Sequence, residues 1–139
     1  MNVYADNAAT TAVSDAALAA MLPCFQEIYG NPSSLHSPGQ RAEERLTAAR
    51  EVFARRLNAR PKEITFTSGG SEADNQALRS AAAIGARKGK RHIISTKFEH
   101  HAVLHTLEAL EKEGFTVTLL DIPPDGVITA EQVCRAIQP

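Results

Sequence analysis

Two stretches of this chain combine residue types that could do chemistry on a small ligand. The first is Thr67-Ser68-Gly69-Gly70-Ser71-Glu72-Ala73-Asp74-Asn75. It reads as a strand end, two glycines, and a helix whose cap or first residue is Ser71. Glycines let backbone N–H groups approach a ligand closely. A helix N-terminus adds unpaired donors and the positive end of the helix dipole, and Ser71 adds a hydroxyl. This is the donor set a phosphate needs. No Gly-Lys-Ser/Thr follows, so it is not a Walker loop, and the three-glycine spacing of a dinucleotide fingerprint is absent. A plain strand-to-helix turn capped by Ser71 fits the same residues.

The second stretch, Phe98-Glu99-His100-His101-Ala102-Val103-Leu104-His105, follows a strand. Ligands of open α/β sheets bind outside the carboxyl ends of the strands. Both stretches are expected at that edge, which points to one shared pocket. His101 and His105 stand at i and i+4, a spacing that also suits a metal, with Glu99 or Glu108 as the third ligand. The reading favoured for this pair is two helix-surface histidines and no metal.

Two further segments are dense in small and polar residues. Tyr4-Ala5-Asp6-Asn7-Ala8-Ala9-Thr10-Thr11 reads as neither helix nor core strand, so it is either a frayed end or held at a cleft. Gly30-Asn31-Pro32-Ser33-Ser34-Leu35-His36-Ser37-Pro38-Gly39 is a loop by every turn signal, with Asn31 and His36 able to face a ligand. None of Lys62, Lys88, Lys90, Lys97 and Lys112 sits in the apolar setting that would activate an amine. Cys24 and Cys134 lie in helical patterns and read as packing residues.

The elements that must position these groups are legible. Ser14-Asp15 opens a helix running to about Tyr29, with Pro23 as an expected kink or break. Ser37 is the expected cap of a second helix, with Pro38 in its first position and Leu46, Ala49, Val52, Phe53 and Leu57 as its buried stripe. Strands are expected at Ile64–Thr67, His92–Thr96 and Thr116–Leu120. Helices are expected from the glycine turn to Lys88, from His101 to Glu113, and from a Thr129/Gln132 capping box to Ile137. The β-α-β-α-β rhythm indicates an α/β layer with a mostly parallel sheet and flanking helices.

Composition sets outer bounds. The 139 residues are 43% hydrophobic and 22% charged, ordinary for a globular chain. Fifteen basic against 16 acidic residues leave no field for nucleic acid or an anionic membrane. Two cysteines 110 positions apart make neither a disulfide framework nor a zinc ribbon. With no signal-like N-terminus, a cytoplasmic home is expected.

Taken in order, the residue 4–11 segment, Gly30-Asn31-Pro32-Ser33-Ser34-Leu35-His36, Phe66–Asn75 and Glu99-His100-His101-Ala102-Val103-Leu104 resemble the N-terminal part of NifS/IscS-like cysteine desulfurases of the class-V aminotransferase family. The resemblance runs through the whole chain. It departs at Ala5, where the family usually carries a larger apolar residue. It implies a fold-type-I large domain, homodimerisation and the cofactor pyridoxal 5′-phosphate (PLP). It implies conversion of L-cysteine to L-alanine, with sulfur passed through an enzyme persulfide to an acceptor such as an iron–sulfur scaffold protein. Gly70 and Ser71 would contact the cofactor phosphate. His100 would stack on the pyridine ring and assist proton transfer. Asn7, Ala8, Asn31 and His36 would border the substrate side.

The resemblance also implies gaps. The family's Schiff-base lysine follows a histidine, and no His-Lys pair occurs here; neither cysteine matches the persulfide motif. The chain therefore reads as a truncated large-domain portion, inactive alone, with residues 1–36 as terminal segment, helix and active-site loop and 37–139 as incomplete α/β region. In the family, later strands separate Ile64–Thr67 from the next two strands, so that segment is expected to lack partners and the isolated chain to be unstable or to pair its strands differently. Another class-V activity (selenocysteine lyase or aminotransferase) and a non-enzymatic phosphate-binding module are the alternatives.

Overall fold

The computed structural model describes residues 2–138, which fall into two compact units, Met1–Thr65 and Phe66–Pro139. The first is helical. Helix α1, Asp15–Gln26, is capped by Ser14, whose hydroxyl accepts from the Ala17 nitrogen at 3.3 Å. It runs through Pro23, and the chain turns off as the Glu27 and Ile28 nitrogens both donate to the Pro23 carbonyl. Helix α2, Ser37–Arg56, is capped by His36 and not by Ser37: the His36 Nδ1 accepts from the Gly39 nitrogen at 3.3 Å. An imidazole lone pair here does the work of the usual hydroxyl or carboxylate cap. Asn58, at φ 52, makes the left-handed turn that ends α2, a conformation asparagine tolerates.

The expected stripe of α2 is not buried. Val52, Phe53 and Leu57 are exposed, as are Leu18, Met21, Leu22 and Phe25 of α1; only Gly39, Ala42 and Ala54 are buried on α2. The stripe has helical spacing, but Val52, Phe53 and Leu57 stay about half exposed or more.

The second unit is the α/β layer. Helix α3 spans Gly70–Arg87, strand β1 His92–Thr96, helix α4 His101–Lys112, strand β2 Thr116–Leu120 and helix α5 Ala130–Ala136. The β1 and β2 strands pair in parallel, from His92 opposite Thr116 to Thr96 opposite Leu120. Their β-branched residues suit the pleat. The left-handed Gly114, at φ 89, lets the chain leave α4 and enter β2 at once. Helices α3 and α4 pack through Ala82, Leu107 and Leu110, with Leu78, Val103, Ile93, Phe115 and Val117 against them. The Arg79–Glu113 ion pair at 3.0 Å joins the two helices at the surface.

Two expectations change here. Residues 64–67 form no strand, because among the described residues the only sheet is β1–β2 and a ladder needs a partner. Cys134 is exposed on α5 and does not pack, whereas Cys24 is half-buried. Among the described residues no helix is long and apolar enough to cross a membrane.

Candidate functional site

The strand-to-helix turn delivers the first half of the site. Gly69 occupies the cap position of α3 with extended backbone and no side-chain acceptor, and the first intrahelical bond is Ala73 N to Gly69 O at 3.1 Å. The N–H groups of Gly70, Ser71 and Glu72 therefore have no intrahelical acceptor. A Cβ built at Gly69 or Gly70 meets no atom within 4 Å. Neither packing nor a left-handed φ demands glycine at either position. What the pair does is leave backbone donors uncovered. The Glu72 carboxylate turns back and takes both Ser68 donors, the hydroxyl at 2.6 Å and the backbone nitrogen at 2.7 Å. Those bonds, the hydroxyl first, hold its pKa below the usual carboxylate range.

The second half comes from the turn after β1. His100 caps α4, its Nδ1 accepting from the Ala102 nitrogen at 3.1 Å. That bond requires a lone pair on Nδ1, so in the neutral ring the proton is on Nε2. Thr96 Oγ1 donates to Glu99 at 3.0 Å and steadies the same turn.

Ser71 and His100 line one cavity of about 390 Å³, shared with Asn75 and Thr106. Gly70 immediately precedes Ser71 at the start of α3. Sequence reasoning gave Asn75 and Thr106 no role. Thr106 carried a signal, however: it is a polar residue on the Val103–Leu107–Leu110 stripe, and it is 3% exposed. Arg79, His101 and His105 also line the cavity. The His101 and His105 rings stack with centroids 5.5 Å apart, and His105 Nδ1 lies 3.3 Å from Glu108. The described residues hold no group of three or more side chains placed to bind a metal.

The remaining predicted residues belong to the first unit. Asn7 lies in a short turn where the Asp6 carbonyl accepts from Ala9 at 3.0 Å and Thr10 at 3.2 Å; the Asn7 carbonyl accepts from Thr11 Oγ1, and Ala8 is exposed. Asn31 Oδ1 accepts from the Ser33 nitrogen at 3.0 Å, and His36 caps α2. A groove of about 710 Å³ runs between α1 and α2 in this unit, past Met21, Phe25, Leu46 and Val52. Its walls are mainly apolar and lack the converging polar groups of the Ser71–His100 cavity.

The aminotransferase class-V family profile matches residues 3–139. The chain belongs to the class-V aminotransferase family. A Clostridium botulinum protein named cysteine desulfurase IscS is 50% identical over 97% of this chain, which spans 34% of that relative. A Methanosarcina thermophila protein of the same name is 44% identical over 98% of the chain and 33% of its own length. Among solved structures, a NifS-like protein superposes with a TM-score of 0.91 at 39% identity, over 99% of this chain and 37% of the other. DndA from Streptomyces lividans does so with a TM-score of 0.82 at 40% identity, over 98% and 38%. A structure titled SspA in complex with cysteine gives 0.86 at 39% identity, over 95% and 38%. This class-V chain thus spans about a third of the length of the relatives it matches, and its α/β architecture is that of the NifS-like structures.

Proposed function

We propose that this stretch is the phosphate- and ring-binding part of a PLP-dependent cysteine desulfurase. The observation that carries the reading is the shared cavity of Ser71 and His100, in a chain whose relatives bear that name.

The residues present fit the cofactor. The open backbone at Gly69 and Gly70 and the Ser71 hydroxyl match the acceptor oxygens of a phosphate monoester. The His100 ring offers a flat face and, with Nδ1 taken by the Ala102 N–H, an Nε2 donor beside them. When bound, PLP supplies an electron sink that labilises bonds at the substrate's Cα and Cβ. The chain's own residues bind and orient. The α3 N-terminus and Ser71 hold the anion, and His100 covers the ring and keeps its proton on Nε2 because Nδ1 is engaged by Ala102.

The rest of the reading follows from the same family. Asn7, Ala8, Asn31 and His36 keep a substrate-side role toward L-cysteine. Residues 1–36 and 37–139 keep the division into terminal segment with active-site loop and large-domain region. The assembled enzyme is a cytoplasmic homodimer that passes sulfur to an acceptor protein. The 139 residues alone are inactive, because no lysine follows a histidine and neither cysteine matches the persulfide motif.

Two measurements test this. Pyridoxine 5′-phosphate, which has no aldehyde to react with surface lysines, is titrated into the chain. Saturable binding that pyridoxine lacking the phosphate does not reproduce is expected, weakened about tenfold by Ser71→Ala. In the second, the stretch replaces the matching third of the Clostridium botulinum relative, and alanine released from cysteine is followed. A folded chimera that holds no PLP would overturn the proposal.

A further inference from the structure

Four hydrogen bonds form an unbroken path between the two halves of the cavity. Asn75 Nδ2 donates to the Ser71 carbonyl at 2.8 Å. Asn75 Oδ1 accepts from Thr106 Oγ1 at 2.7 Å, and the same hydroxyl lies 2.8 Å from the Ala102 carbonyl. The Ala102 nitrogen in turn donates to His100 Nδ1 at 3.1 Å. The amide orientation of Asn75 follows from its partners, since a flip would set oxygen against the Ser71 carbonyl oxygen. The hydroxyl's one proton sits between two acceptors, one on each helix.

We propose that Asn75 and Thr106 are a positioning pair that holds the first turns of α3 and α4 in register, so that Ser71 and His100 face one ligand together. Both residues line the cavity with them. Thr106 is the one buried polar side chain among the described residues. A bond across two helices, made at a buried site, resists sliding in a way that the apolar contacts of Ala82, Leu107 and Leu110 do not. Hydrophobic contact is non-directional, whereas a hydrogen bond weakens steeply off its axis. Without the bridge, only the solvent-exposed Arg79–Glu113 ion pair and non-directional apolar contacts oppose a shift of α3 along α4, which would carry the Ser71 donors away from His100. The pair acts through Ser71 and His100, which are the residues assigned to contact the cofactor.

The functional part of this inference rests on the cofactor reading above; the structural part does not, and the test separates them. Thr106→Val removes the hydroxyl at nearly constant shape, and Thr106→Ser keeps it. In the ¹⁵N-labelled 139-residue chain, Thr106→Val is expected to shift the backbone amide signals of Ser71 and His100, residues it does not touch, and to weaken pyridoxine 5′-phosphate binding about tenfold. Thr106→Ser is expected to restore both. Adding Asn75→Ala to Thr106→Val is expected to bring little further loss, the non-additivity of one linked unit. Should Thr106→Val fail to fold, Asn75→Asp, which keeps the shape but removes the donor to Ser71, gives the same readouts. Unmoved Ser71 signals in a folded variant overturn the positioning pair. A Ser71 shift in Thr106→Val together with a wild type that binds no pyridoxine 5′-phosphate supports the pair and overturns the cofactor reading.

Discussion

The Glu72 carboxylate accepts both donors of Ser68, the hydroxyl at 2.6 Å and the backbone nitrogen at 2.7 Å. It thereby folds the residue before the two glycines onto the first turn of α3. The bonds hold the carboxyl below its usual range, so the loop is stabilised only while Glu72 is ionised. A lowered folded pKa means that this contribution is fully present above the unfolded value. It is lost as the pH falls through the folded one, which lies below the ordinary carboxylate value. Glu63, lowered by the Arg60 guanidinium and then by the Arg60 backbone nitrogen, follows the same sign. Protection of the Ser68 amide, its exchange rate measured against the intrinsic rate at each pH, is expected to fall on acidification. In Glu72→Gln the acid dependence of this protection should disappear, and a variant that keeps the same acid dependence as the wild type would contradict the account.

Gly39 is buried at the start of α2, where a Cβ would stand 2.5 Å from the Ser34 carbonyl oxygen and 2.7 Å from that of Asn31. Backbone atoms cannot yield as a side chain can. Gly39→Ala is expected to destabilise the residue 30–39 loop by about 1–3 kcal/mol, the usual range for overpacking. Proteolysis of that loop should accelerate, while the amide spectrum of residues 66–138 stays as it is.

Leu107 is 2% exposed and is the largest fully buried side chain described. Leu107→Ala should cost about 2–5 kcal/mol, a large part of the stability of a small unit. Denaturant midpoints are the measurement. A midpoint within error of the wild type would show that α3 and α4 do not pack through this residue.

The chain exposes 10862 Å² of surface. Even two separate compact bodies of half its mass would expose about 8,500 Å² between them. Large apolar side chains contribute to this surface, with Phe25 69%, Leu57 67% and Leu35 93% exposed. The isolated chain is therefore expected to bind hydrophobic dyes and to associate as its concentration rises. Sedimentation across a micromolar to millimolar series is the check, and a dye-silent monomer throughout would refute the expectation. Charged substitutions at Phe25 and Val52 should reduce association.

Much of the fold was legible because its signals are local. The strands His92–Thr96 and Thr116–Leu120 and the Thr129/Gln132 capping box follow from side-chain type and short spacing, and each stands where the residues place it. The glycine turn and the histidine turn were legible for the same reason, as was the family whose motifs they carry. What neighbours decide was not legible. Residues 64–67 have the side chains of a strand but lie outside the one sheet among the described residues. The α2 stripe has helical spacing but is left largely exposed at Val52, Phe53 and Leu57. His36 caps through a ring nitrogen that propensity does not rank. That Asn75 reaches Thr106 across 31 positions depends on α3 lying against α4, because a hydrogen bond needs two groups within about 3 Å and only tertiary packing sets that distance. The sequence by itself determined which backbone donors, hydroxyl and imidazole stand at the two turns; the packing of two helices determined that Ser71 and His100 line the same cavity.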